Sequence, residues 1–144
     1  MAVRERDGLA GWLTRPQLAL FDSMHVADRR HGLDVVTTLR TDGVTDPDVL
    51  IAGLLHDAAK GDTGVLPRSA RSRARSAGQA RRRSAAVMPG WRAAIGRLAT
   101  HAEASAGLAE AAGCSLRTVA LIRDQDAPRD PEFGELLRLA DEAN

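Results

Sequence analysis

The sequence predicts an all-α fold, and three observations lead there. Alanine, leucine and arginine dominate the 144 residues while tyrosine is absent and aromatic residues reach only 3%; that balance favours helices over strands. Apolar residues recur at three- and four-residue spacing and rarely alternate. Helix start and stop signals punctuate the chain, and no segment reads convincingly as a strand. A chain of this length is expected to form one compact multi-helix domain over residues 1–144, with a core large enough to need no covalent staple.

Taken in order, Leu18, Ala19, Leu20 and Phe21 mark a short helix after Pro16. The next spans about Val26 to Arg40: Val26, Leu33, Val36 and Leu39 recur at helical spacing with His31 between them, and Thr41-Asp42-Gly43 closes it. Asp46-Pro47 reads as an N-cap with proline at the first helical position. That helix is expected to run to about Ala59, with Gly61 as its stop. From Pro67 to Ser84 the pattern changes. Arg68, Arg71, Arg73, Arg75, Arg81, Arg82 and Arg83 are interspersed with Ser and Ala, and only a faint alanine stripe remains (Ala70, Ala74, Ala77, Ala80). The segment 67–84 reads either as a loosely docked helix or as a mobile arm. After Pro89-Gly90, one helix is expected from Trp91 to Leu98, followed by His101, and another from Ala104 to Ala112, stopped by Gly113. Ser115 caps Leu116 to about Arg123; Ala127 to Arg129 is a loop; Asp130-Pro131 opens the last helix. There Phe133, Leu136, Leu137, Leu139 and Ala140 are apolar, and Asp141 follows. Trp12, Phe21, Trp91 and Phe133 are expected in the core.

Composition narrows the function classes. A net charge of +1 carries no global bias toward nucleic acid or membrane. No run approaches the ~18 apolar residues of a membrane span. The charged start, Met1 to Asp7, has no leader-like apolar stretch after it. Cys114 is the single cysteine, so no internal disulfide forms; a cytoplasmic protein is expected.

The doublet His56-Asp57 holds most of the chemical information. It closes the apolar run Val49, Leu50, Ile51, Ala52, Leu54 and Leu55, and Lys60, the only lysine of the chain, follows it with Gly61 and Asp62. Charged groups at the edge of a dry surface are costly unless paired. His31 and Asp141 sit in similar apolar settings on two other helices. Two imidazoles and two carboxylates from three helices can close around one divalent cation, and such a mixed nitrogen and oxygen set suits Mn, Fe, Co, Zn or Mg. Neighbouring helical residues point about 100° apart, so His56 and Asp57 share a cation only near the helix edge. Each residue also has a plainer reading. His31 alone could be structural, Asp141 a solvated carboxylate near a helix end, and Lys60 a C-terminal helix cation.

These motifs resemble the HD-domain phosphohydrolase superfamily. Arg29-Arg30-His31-Gly32 is similar to its opening motif, and Leu54-Leu55-His56-Asp57-Ala58-Ala59-Lys60 to its "LLHDxxK" block. His101-Ala102-Glu103 with Gly107 loosely resembles its downstream stretch, and Leu139-Ala140-Asp141 its closing aspartate. The resemblance covers roughly Met24 to the C-terminus. It implies a helical HD-type domain that binds a divalent metal and cleaves a phosphate ester or anhydride of a nucleotide or small phosphorylated metabolite, by attack of a metal-bound water. It further implies His31, His56, Asp57 and Asp141 as ligands, with Asp57 and Lys60 in catalytic roles. Lys60 and Arg30 would contact phosphate, and Asp62 would orient water or ligate. Some branches hold a second metal. His101 matches one of those positions, but Ile122-Arg123-Asp124-Gln125-Asp126 carries no histidine, leaving Asp124 or Asp126 as substitutes. One metal is therefore expected ahead of two.

The missing histidine also motivates an alternative, a catalytically degenerate module that binds a nucleotide or a partner for regulation. A third reading takes the stretch Arg68 to Arg83 as a nucleic-acid contact, although no aromatic residue is interleaved there to stack bases. Substrate identity and oligomeric state are not encoded in any motif.

Overall fold

The helix Pro47–Leu55 is apolar on every side from Val49 onward, so that stretch has to be covered on every side, and this requirement organises the molecule. A computed structural model of the chain describes residues 3–60 and 90–144. Among the described residues the fold is entirely helical: α1 (Val3–Leu9), α2 (Arg15–Ser23), α3 (Val26–Thr41), α4 (Pro47–Leu55), α5 (Gly90–Ala111), α6 (Leu116–Arg123) and α7 (Gly134–Glu142). All of Val49 to Leu55 is buried on α4, which packs against α3, α6 and α7, while α3 also meets α7 and α5 meets α6 and α2. The interior is built from Phe21, Val35, Leu39, Val49, Leu54, Leu55 and Ile122, each nearly or fully buried. Burial of each large side chain contributes about 1.5–3 kcal/mol.

Local chemistry explains most of the boundaries. Thr14 and Gln17 form a reciprocal capping box at the start of α2. Asp46 accepts from the Asp48 N–H to cap α4, and Ser115 accepts from the Thr118 N–H to cap α6. Gly43 and Gly113, with φ of 89° and 78°, end α3 and α5 in the left-handed turn that a side chain disfavours. The amides that follow them, at Val44 and Cys114, reach back to Leu39 O and Ala109 O.

Several boundaries depart from the sequence reading. α1 was not anticipated; Arg6 fastens it to α2 through Asp22, at 2.6 Å for the shorter contact. α4 stops at Leu55, short of Ala59, because the chain from His56 onward tightens into turns closed by Ala58 N–H to Leu55 O and Lys60 N–H to Asp57 O. The two helices expected between Trp91 and Ala112 are one helix, α5, since Ala99 to Glu103 contains no breaker. The last helix begins at Gly134, not at Pro131: the Asp130 carboxylate accepts from the Glu132 and Phe133 N–H groups and holds that stretch as a turn. Val26 and Leu139, expected apolar and inward, are 59% and 48% exposed. Gly61, Asp62 and the arginine-rich segment 67–84 lie outside the described residues. No helix among the described residues is long and apolar enough to cross a membrane.

Candidate metal centre

The site begins with a glycine. A Cβ at Gly32 would stand 2.5 Å from Leu54 O, so α3 and α4 come this close there only because residue 32 has no side chain. His31 precedes this contact by one residue and His56 follows Leu54 by two. The crossing therefore brings both imidazoles together, with ring centroids 5.3 Å apart and planes inclined at 59°. α7 packs across α3 and α4 and lays Asp141 over the pair. Asp141 Oδ1 stands 2.8 Å from His31 Nε2 and 3.1 Å from His56 Nε2.

The donor set can be tested for fit to a cation. His56 Nδ1 lies 2.8 Å from Gly53 O. A carbonyl oxygen only accepts, so Nδ1 carries a hydrogen and donates it there. In neutral His56 this leaves Nε2 as a bare lone pair facing Asp141 Oδ1, itself an acceptor. Two acceptors at that distance need a proton or a metal ion between or beside them. In the metal-free protein the His56 pKa is raised: burial opposes the charge, and Asp141 and Asp57 outweigh it. The Asp141 carboxyl is lowered, first by His56, against the effect of burial. Donors that share a cation at ~2.1 Å stand about 3.0–3.4 Å apart. His31, His56 and Asp141 each offer one atom, all within 4.8 Å of one another. These three residues form a group that can hold a metal ion.

Asp57 borders this group. Its buried carboxylate places Oδ2 3.6 Å from His56 Nε2 and 3.9 Å from His31 Nε2, while Lys60 Nζ contacts the same oxygen at 2.9 Å and His101 Nε2 approaches Oδ1 at 3.4 Å. Burial pushes this carboxyl upward, but His101, His56 and Lys60 together hold it well below the usual carboxylate range. Lys60 is raised in turn by Asp57 and keeps 56% of its side chain in solvent.

Arg30 and Asp124 are not brought to the cluster. Arg30 turns to Asp34 at 2.7 Å and to Glu5 at 3.4 Å. Asp124 closes α6 through its backbone N–H to Ala120 O, and no contact joins its carboxylate to the imidazoles among the described residues. Asp62 is outside them. His25 Nδ1 accepts from the Ala27 N–H at the start of α3. A surface cavity of about 560 Å³ opens elsewhere, beside the α3–α4 loop, against Asp42, Val44, Asp46, Pro47, Phe133 and Leu136.

Two residues that the sequence reading passed over touch the doublet's backbone. Gln125 Nε2 donates to His56 O at 3.1 Å, and Ser105 Oγ, fully buried on α5, accepts from the Ala59 N–H at 3.0 Å. Gln125 lies in the stretch Ile122 to Asp126 that carries no histidine, and no residue-type pattern announces a contact made to a backbone carbonyl. No family model matches the chain, and no curated protein or solved structure matches it either.

Proposed function

We propose that the chain is a metal-dependent phosphohydrolase of the HD type, acting on a phosphate ester or anhydride of a nucleotide or small phosphorylated metabolite. The observation that carries this reading is the meeting of His31 and His56 with Asp141 on one side and with anionic Asp57 on the other. His31, His56 and Asp141 would hold the ion, with Asp57 as the fourth ligand. A bound divalent cation supplies charge that polarises a phosphoryl oxygen and acidifies water. The chain's own groups do the rest. His56 is kept in one tautomer by Gly53 O, so its Nε2 stays aimed at the centre. Asp57 remains ionised and orders the polar groups around it. Lys60, anchored at Asp57 and half in solvent, offers an ammonium to an incoming phosphate.

The test is a panel of phosphorylated substrates assayed with added Mn, Co, Fe and Mg. The expected result is turnover that depends on the metal and disappears in His56→Ala and Asp57→Ala. Metal binding without turnover on any substrate would favour the regulatory-module reading. A wild-type protein that binds no divalent ion ends the phosphohydrolase reading.

A further inference from the structure

The doublet does not sit on a regular helix. α4 ends at Leu55, and His56 to Ala59 form turns whose internal bonds, Ala58 N–H to Leu55 O and Lys60 N–H to Asp57 O, reach back only three residues. Turns of this kind are looser than a helix and open more readily. Two groups from other elements grip this one. Gln125, just past α6, uses a single side-chain amide to join two carbonyls: Ile122 O at 3.0 Å, at the end of its own helix, and His56 O at 3.1 Å, at the end of α4. Both are carbonyls at helix ends, where the regular intrahelical bonds run out; Ile122 O also accepts from the Gln125 backbone N–H at 3.4 Å, whereas His56 O is reached by the Gln125 side chain. Ser105, on α5, takes the Ala59 N–H. His56 is thus held at three points: its ring nitrogen on Gly53 O, its own carbonyl on Gln125, and its turn on Ser105.

We infer that Gln125 is a positioning residue for the candidate metal centre: by holding the His56 carbonyl it fixes the turn 56–60 and so aims the His56 and Asp57 side chains toward Asp141. Its purpose rests on the metal reading above, whereas the clamp itself can be measured without metal. The change to test is Gln125→Met, which keeps length and bulk and deletes the donor. In the metal-free protein, amide hydrogen exchange at Ala58, Ala59 and Lys60 is expected to speed up by about tenfold or more, with Val119 to Ile122 unchanged. The Co(II) dissociation constant of the same variant is expected to rise by about tenfold or more, the usual cost of losing an outer-shell partner. Ser105→Ala removes one buried oxygen but leaves the His56 carbonyl held. It is expected to speed Ala59 alone and to weaken Co(II) binding less than Gln125→Met. Unchanged exchange at 58–60 in Gln125→Met overturns the inference, as does faster exchange spread through α6, which would mean that Gln125 only caps its own helix. The reverse order of Co(II) affinities in the two variants overturns it too. If the wild-type protein binds no Co(II), the metal reading falls and the exchange comparison alone decides the clamp.

Discussion

Asp141 Oδ1 is the atom on which both imidazoles converge, so its charge matters more than its shape. Asp141→Asn preserves volume and leaves a neutral oxygen. Because outer-shell losses already cost 10–100-fold in metal affinity, deletion of a ligand charge should weaken Co(II) binding by more than about a hundredfold, as read by calorimetric titration; affinity within a few-fold of wild type would remove Asp141 from the site. A second residue-scale case lies away from the cluster. Arg117 contacts Asp130 at 2.9 Å, reaches Asp46 and Glu132, and lies over the Phe133 ring. Arg117 first, with the Phe133 N–H, holds the Asp130 carboxyl at about 2, below its ordinary 3.8. A carboxyl lowered on folding contributes stability above its unfolded value, and that contribution is lost as pH falls through the folded one. The difference in melting temperature between wild type and Arg117→Met should therefore be widest at neutral pH and close between about pH 4 and pH 2. A constant difference across that range would show that the pair is not coupled to folding.

At the scale of elements, the α3–α4 crossing is the feature on which the site depends. A methyl at Gly32 meets backbone, Leu54 O at 2.5 Å, whereas a methyl at Gly53 meets the tip of a flexible side chain, Leu39 Cδ1 at 2.9 Å. Backbone cannot step aside without moving its helix. Alanine gains about 0.5–1 kcal/mol of helix propensity over glycine at either position, and overpacking costs typically 1–3 kcal/mol. Gly32→Ala should therefore be the clearly destabilised variant in urea unfolding, with Gly53→Ala within about 1 kcal/mol of wild type. Equal stability of the two would argue against the tight crossing. Elements of this kind were legible where a residue type signs the boundary, as at Asp46-Pro47, Ser115 and Gly113. They were not legible where the cause is tertiary. Nothing local says that α4 yields to turns at His56, or that the Asp130 carboxylate turns the chain and delays α7 to Gly134.

For the whole molecule, the cluster was legible because each of its residues interrupts an apolar stripe, and a polar group in such a place needs a partner. The sequence could not say which neighbours would compete for those groups. Arg30 stands beside His31 in the chain, yet Asp34 at i+4 and Glu5 of α1 take its guanidinium. Nor could it show that α7, distant in sequence, is the helix laid across the consecutive pair α3 and α4. α3 and α4 are bound by a broad apolar contact, but α7 rests on a narrow face, with only Gly134, Leu137 and Ala140 buried among its residues. A cation shared by His31, His56 and Asp141 would tie this lightly held helix to the other two, so binding should appear as stability of the entire fold. At a free-ion concentration a hundred times the dissociation constant, the linkage is worth about 2.7 kcal/mol, which for a chain of this size corresponds to a rise on the order of 10 °C in melting temperature. The rise should follow the logarithm of Co(II) or Mn(II) concentration, reverse with chelator, and vanish in Asp141→Asn. Exchange of the α7 amides should slow more than that of α4, whose burial already protects it. A melting temperature indifferent to divalent ions would leave the three side chains as a polar contact between helices and nothing more.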